Sequence, residues 1–403
     1  MKILYHHRIR SKDGQAVHLE ELVAALRNCG AEVTLCGPES FARAEFGHDP
    51  KLLGKLKAFI PGALYEVLEL GYNIPAYLRL SRAFRTVQPD LVYERYNLHM
   101  LAGIWLKRRR GTTVLLEVNA PLAMERAAHG GLTLARLAHR LERWTWRSAD
   151  FVLPVTQVLA DIIRESGVPS ERIIVVPNGV DLRRFENQLS AADAKAALGL
   201  SGKTVLGFSG FMRDWHGLDS IVDWLADPST PANVHLLLVG EGPARPDLES
   251  QAARLGVTHR VTFAGLAGRN EISAMTAAFD IALQPKCVDY ASPLKLFEYM
   301  VSGKAIVAPD QPNIKEVLVD GVSALLFDPD RRETMVQALD RLVKDSGLRS
   351  ALGAGARYAI DHPGFSWQKN AERVLALGAR CLSLKETAQA PEKQLRKPGN
   401  APS

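Results

Sequence analysis

Short apolar runs alternate with amphipathic stretches along almost the whole chain, and they do so in two separate series. The first series reads KILYHH, QAVHLEELVAALRNCG, AEVTLCG, DLVYERY, TTVLLEVN, ADFVLPV and RIIVVPN. Such apolar runs, separated by helical or polar sequence, suit parallel strands covered on both faces. The second series begins at KTVLGFSG and continues through NVHLLLVGEG, HRVTFAG, FDIALQP, KAIVAPD and SALLFDP. Between them stand Pro177-Asn178-Gly179-Val180-Asp181 and a polar stretch to about Asp193, which suit an interdomain linker. The pattern predicts an α/β chain of two doubly wound lobes, residues 1–183 and 184–364, facing across a cleft. Ligands are expected at the carboxyl ends of the strands. A final helix over about Ser366 to Leu384 is expected to cross back to the first lobe (365–384), and the polar residues 385–403 are expected to form a disordered tail.

At 403 residues the chain is too long for one small module, and 47% apolar with 23% charged residues excludes whole-chain disorder. No run approaches about 18 apolar residues, and Met1-Lys2-Ile3-Leu4-Tyr5 passes directly into His6, His7 and Arg8. Neither a membrane span nor a secretory signal is expected. Cys29, Cys36, Cys287 and Cys381 lack CxxC spacing, which suits a reducing, cytoplasmic setting without structural zinc. The charge is uneven: residues 1–183 hold 25 Lys and Arg against 19 Asp and Glu, whereas residues 184–403 hold 25 of each. One lobe is thus suited to an anionic surface. Lys51-Leu-Leu-Gly-Lys55-Leu-Lys57-Ala-Phe-Ile60 and Lys107-Arg108-Arg109-Arg110 suit the surface of an anionic bilayer, the alternative being a solvated helix face. With no recognisable RNA or DNA module, nucleic acid is not expected as a partner.

The chemistry concentrates in Asp289-Tyr-Ala-Ser-Pro-Leu-Lys-Leu-Phe-Glu-Tyr-Met-Val-Ser-Gly303. Ser292 as N-cap, Pro293 in the first helical position and Gly303 at the end predict a short helix over residues 293–302. Lys295 then lies in the first turn, opposing the helix dipole at about 0.3–1 kcal/mol unless an anion sits before both. Backbone N–H groups and Lys295 would form a phosphate cradle, with Glu298 on the same helix face to accept from ribose hydroxyls. The alternative is an exposed helix start with a solvated ion pair. A second loop, Gly207 to Gly217, offers Gly210, Arg213 and His216 to the same anion, or is a glycine turn with an exposed arginine. Val239-Gly240-Glu241-Gly242-Pro243 is glycine-rich but not GxGxxG. No metal-ligand spacing appears, and Asp328-Pro-Asp330 reads as a turn. His6, His7 and Asp13-Gly14 follow the first strand, where they either position an acceptor or serve the structure.

The ordered series PNGVD, GFSGFMRDWHG, LLLVGEGP, RVTFAG, DIALQP and SPLKLFEYMVSGKAIVA resembles the retaining GT-B glycosyltransferases of family four. The likeness is close over residues 170–330 and looser through DGQAVHLEELVAALRNCGAEVTL, YERYNLHMLAG and LLEVNAPL. It implies the GT-B fold of two Rossmann-like lobes and sugar transfer, with retention and no metal, from a UDP- or GDP-linked donor to a saccharide or lipid-linked acceptor. It further implies a role in bacterial surface polysaccharide synthesis, on the inner face of the plasma membrane. By this resemblance Lys295 binds the diphosphate, Glu298 holds the ribose, and Leu266 and Ala267 flank the nucleobase. Gly210, His216, Gly240, Tyr290, Ser292, Pro293 and Leu294 complete the donor side, and His7 and Gly14 face the acceptor. Three positions depart from the family. Tyr290 replaces the first acid of its Glu-seven-residues-Glu motif, Phe211 and His216 replace an Arg and a Lys with Arg213 able to restore charge, and Asn119 stands where many relatives carry a histidine. The implied mechanism is electrostatic: Lys295, Arg213 and the helix start stabilise the departing diphosphate. The alternatives are a GT-B sugar-nucleotide epimerase and a non-catalytic nucleotide-sugar-binding subunit.

Overall fold

The computed structural model describes residues 1–9, 14–38, 60–128, 131–268, 271–362 and 364–395. Five strands build the first sheet: β1 Lys2–His6, β2 Glu32–Cys36, β3 Leu91–Arg95, β4 Thr113–Val118 and β5 Phe151–Pro154, in the order β2-β1-β3-β4-β5. Six build the second: β6 Thr204–Ser209, β7 Val234–Val239, β8 Val261–Gly265, β9 Ile281–Leu283, β10 Ala305–Pro309 and β11 Leu325–Phe327, in the order β11-β10-β9-β6-β7-β8. The strand pairs within both sheets are parallel.

Alternate residues of each strand enter different cores, which is why the strands read as continuous apolar runs. Ile3 and Tyr5 pack with Leu19, Leu22 and Leu26 of the first helix, Gly14–Asn28, whereas Leu4 packs with Trp146 and Leu159 on the other face. In the second sheet Leu206 and Phe208 enter one core, and Val205 enters another with Leu296, Phe297 and Tyr299. The winding reverses between β1 and β3 and again between β6 and β9, and a parallel sheet opens its ligand crevice at such reversals.

The chain crosses between lobes twice, and the two crossings lie side by side. Val180 bridges to Ser366, with Val180 N donating to Phe365 O at 3.1 Å, and Asn370 Nδ2 donates to Pro177 O at 2.5 Å. Much of the stretch expected as polar linker is folded. Asp181 caps the 3-10 turn Leu182–Phe185, and Ser190 caps the helix Ala191–Ala197. The last helix, Trp367–Leu395, packs Trp367, Ala371 and Val374 into the first lobe's core. It continues past Leu384 through residues expected to be disordered. At its start there, Lys385 Nζ donates to Gly111 O at 2.7 Å.

Gly179 is forced by the close approach of the two crossings. A Cβ there would lie 2.8 Å from the backbone of Ser366 and Trp367. Gly179→Ala should therefore cost about 1–3 kcal/mol through overpacking, visible in calorimetry as a lowered Tm; an unchanged Tm would show that the crossings have room to separate.

Candidate active site

β6 and β9 end at the second sheet's reversal, and the loops that follow bring Gly210 and Lys295 together. Lys295 lies in the first turn of the helix Leu294–Val301, its Nζ 3.7 Å from the centre of the Phe208 ring. A Cβ on Gly210 would be 3.3 Å from Lys295 Nζ. Burial pulls the ammonium down to about 7, against which Cys287 and Glu298 push upward. His216 stands beside the same phenylalanine, ring centres 5.2 Å apart, with Nδ1 3.2 Å from Arg213 N. The backbone N–H must donate to that nitrogen, so the neutral ring carries its proton on Nε2. Burial, then Lys295 and Arg213, push His216 down to about 3. Glu298 follows one turn after Lys295. Burial raises its carboxyl to about 7, Lys295 and Arg184 draw it down, and Glu21 pushes it up.

The segment leading into this helix is held by its carbonyls. Gln311 Nε2 donates to Cys287 O at 3.2 Å, and Asn313 Nδ2 donates to Val288 O at 3.0 Å and Ala291 O at 2.7 Å. Thr156 Oγ1 donates to Tyr290 O at 2.9 Å and Asn178 Nδ2 to Ser292 O at 2.6 Å. In a trans peptide the following N–H points opposite to the carbonyl, so anchoring the oxygens fixes the direction of the amides. The helix begins at Leu294 with Pro293 as its cap and no side-chain cap bond, in place of the expected Ser292 cap. With its carbonyl held by Asn178, Ser292 lies outside the helix, and its buried Oγ has no hydrogen-bond partner among the described residues.

The other sequence-predicted residues fall in different places. Arg213 is stacked between two exposed rings, its Cζ 4.9 Å from Phe211 and 4.7 Å from Trp215, so Phe211 shelves the arginine instead of supplying charge. Gly240, at φ +131°, is required by loop packing, because a Cβ would meet Gly210 O at 2.1 Å. Leu266 is exposed just past β8, and Ala267 packs against the second lobe's core. Tyr290 was expected beside the donor sugar. Its ring is instead buried in the first lobe's core, and its hydroxyl donates to Glu125 Oε2 at 2.9 Å, with burial and that acid raising its pKa.

On the first lobe, Asn119 Nδ2 donates to Glu117 Oε1 at 2.5 Å. Glu117 is buried and also meets Arg95, His18 Nε2 at 3.3 Å and the Tyr5 hydroxyl at 3.0 Å. Burial opposes its ionisation, but His18, Arg95 and Asn119 outweigh that and hold its carboxyl well below the usual range. His7, expected to face the acceptor, is 3% exposed with its ring against Gly37, and burial followed by His6 and Arg95 lowers it to about 4. It sits inside the lobe because its N–H extends the strand ladder to Cys36 O at 3.1 Å. His6 Nδ1 is paired to Glu94 at 2.6 Å. Gly14 opens the first helix with no atom near its Cβ position, while Asp13 lies outside the described residues. Among the described residues no group of three or more His, Cys, Asp or Glu is arranged to hold a metal ion. Sequence reasoning missed Glu125, Thr156, Asn313 and the ion pair between Arg184 and Glu21. Only Asn178 carried a signal, as part of a turn.

Two family models match, "Glycosyl transferase 4-like domain" over residues 13–179 and "Glycosyl transferases group 1" over residues 203–345. A D-inositol 3-phosphate glycosyltransferase of Xylanimonas cellulosilytica is 28% identical, covering 91% of each chain. A 2-deoxystreptamine glucosyltransferase of Streptomyces kanamyceticus is 27% identical over 78% of this chain and 80% of its own. The Anabaena protein Alr3699/HepE, solved with UDP, shares the fold at a TM-score of 0.75 and 19% identity, over 94% of this chain and 100% of its own.

A diphosphate in front of Lys295 would supply the counter-charge that burial withholds, raising the bound lysine above about 7. Lysine's contribution to affinity is therefore complete below pH 7 and lost as pH rises through the bound value. Titration calorimetry with UDP and GDP at pH 8, in buffers of differing ionisation enthalpy, should show net proton uptake. Lys295→Met should abolish most of that uptake and weaken binding by about 1.5–3 kcal/mol. Undiminished uptake in the variant would place the diphosphate elsewhere.

Proposed function

Because the chain belongs to the group 1 glycosyl transferases, enzymes of the GT-B fold, we propose that it moves a sugar from a UDP- or GDP-linked donor to a saccharide or lipid-linked acceptor with retention at the anomeric carbon. The observation that carries this reading is Lys295 at the head of its helix, against Gly210 and Phe208, at the reversal of the second sheet. As the bond from the anomeric carbon to the β-phosphate oxygen breaks, its electron pair passes to that oxygen. Lys295, Arg213 and the first-turn amides stabilise the charge, without a metal in this reading. The acceptor hydroxyl forms the new bond and passes its proton to the departing β-phosphate oxygen. No protein nucleophile is invoked, since Glu117, the acid that holds Asn119, is already buried among Arg95, His18 and Tyr5. Incubation with UDP- and GDP-sugars and a panel of saccharide and lipid-linked acceptors tests this. The expected product is the acceptor plus one sugar, with the donor's anomeric configuration by NMR. Inversion would refute retention, epimerised donor formed without acceptor would favour an epimerase, and binding without turnover a nucleotide-sugar-binding subunit.

The same proposal places the enzyme in surface polysaccharide assembly, at the cytoplasmic face of the plasma membrane. No helix among the described residues is long and apolar enough to cross a membrane. What supports surface contact is exposed apolar area on the basic lobe: Leu64, Val67 and Leu68 share one face of the helix Gly62–Gly71, and Ile74 and Leu78 share one face of Asn73–Val87. Arg82, Arg85, Arg108, Arg109 and Arg110 are exposed as well. Lys107 is spent internally, with Asp150 at 3.0 Å and Ser148 O at 2.8 Å, and residues 51–59 of the other basic segment lie outside the described residues. In flotation the protein should rise with anionic vesicles and be released by salt; equal recovery with neutral vesicles would remove this part of the proposal.

A further inference from the structure

β10 is followed by a single helical turn, Pro312–Lys315, with Gln311 before it and Glu316 after it. One end of this short segment holds the loop before Lys295: Gln311 Nε2 donates to Cys287 O at 3.2 Å, and Asn313 Nδ2 to Val288 O at 3.0 Å and Ala291 O at 2.7 Å. The other end reaches the first lobe. Glu316 accepts from Gln157 N at 2.8 Å through both carboxylate oxygens and from Val158 N at 3.2 Å through Oε1. Those amides open the first lobe's helix Gln157–Glu165, whose own cap, Thr156, accepts from Leu159 N at 3.1 Å. The Thr156 hydroxyl donates in turn to Tyr290 O, in the same loop, at 2.9 Å. The contacts therefore close into a ring that runs from the first-lobe helix through Glu316, Asn313, the loop and Thr156 back to that helix.

The opening N–H groups of a helix lack partners within it, and a carboxylate suits them because the helix dipole favours negative charge there. A cap serving the helix alone could come from its own first turn. That turn contains no acid, and the acid that serves it stands 159 positions away, on the other lobe. We propose that Glu316 is a positioning residue for the nucleotide diphosphate: it docks the second lobe on the first lobe's helix and so, acting through Asn313 and Tyr290, keeps the loop before Lys295 in its binding shape. This rests on the diphosphate lying in front of Lys295. Cutting the ring at Glu316 leaves the loop held across the lobes by fewer contacts. By linkage, a nucleotide that needs the loop's shape must in turn strengthen the contacts at Gln157 and Val158.

UDP and GDP are the probes, with calorimetric affinity, melting curves and amide hydrogen exchange measured on the full-length protein. Glu316→Ala should weaken nucleotide binding about tenfold, and Glu316→Gln, which keeps a carbonyl acceptor without the charge, by less. Thr156→Val cuts the ring elsewhere, so combined with Glu316→Ala it should weaken binding by less than the product of the two effects. In the wild type nucleotide should slow exchange at Gln157 and Val158, and in Glu316→Ala it should not. Ser190→Ala, which removes a cap from the helix Ala191–Ala197, should lower Tm and leave nucleotide affinity unchanged. A Glu316 that merely caps a helix predicts this same pattern for both of its variants, with Tm lowered, affinity unchanged and exchange indifferent to nucleotide. That result would overturn the proposal. Absence of binding by either nucleotide, or equal affinity in wild type and Lys295→Met, would instead remove the diphosphate reading beneath it.

Discussion

The donor side of this molecule depends on a demand that backbone carbonyls make. Between Cys287 and Ser292 the chain has left β9 without entering a helix, so its oxygens draw donors from elsewhere, and the most deeply placed of them, on Tyr290, would cost about 1–3 kcal/mol if unmet. Gln311 and Asn313 of the second lobe satisfy three of them, and Thr156 and Asn178, from the first lobe and the crossing, satisfy two more. The direction of the amides that run into the Lys295 helix is therefore set jointly by both lobes. Tyr290 strengthens the arrangement by burying its ring in the opposite core. The second lobe does not shape its own loop alone.

Charge is handled in contrasting ways on the two sides. Glu117 is buried with Arg95, His18, Tyr5 and Asn119 around it, a fully compensated acid whose ionised form is secure. Around Phe208, by contrast, Lys295 and His216 are both pushed toward neutrality. A buried lysine drawn toward neutrality beside an uncharged imidazole gains most when an anion lies in front of it. The first arrangement favours a fixed geometry and the second favours ligand capture.

The periodic parts of the fold were legible in the sequence. Unbroken apolar runs marked strands with two buried faces, and the Pro-Leu-Lys run followed by Gly303 marked the helix carrying Lys295. What escaped was set by contacts across long sequence distances. Tyr290 reads as a surface residue of a donor loop until Glu125, 165 positions away, is placed beside its hydroxyl. His7 reads as a cleft residue until Gly37 closes over its ring. The pairing of Arg184 with Glu21 carries no local signal, because both lie in ordinary polar positions of amphipathic sequence. Ser292 shows the same limit at short range, since a good N-cap residue lost that post when its carbonyl was claimed by Asn178.

The paired crossings make the second lobe an insertion into the first: the chain leaves at Val180 and returns at Ser366, and the first core is completed by Trp367, Ala371 and Val374. During synthesis the second lobe's strands emerge whole while the first still lacks the helix that covers Tyr5, Leu19 and Leu115. The lobe that begins the chain is thus the last to close. Until its final helix emerges, part of its apolar sheet face remains open to water and to chaperones.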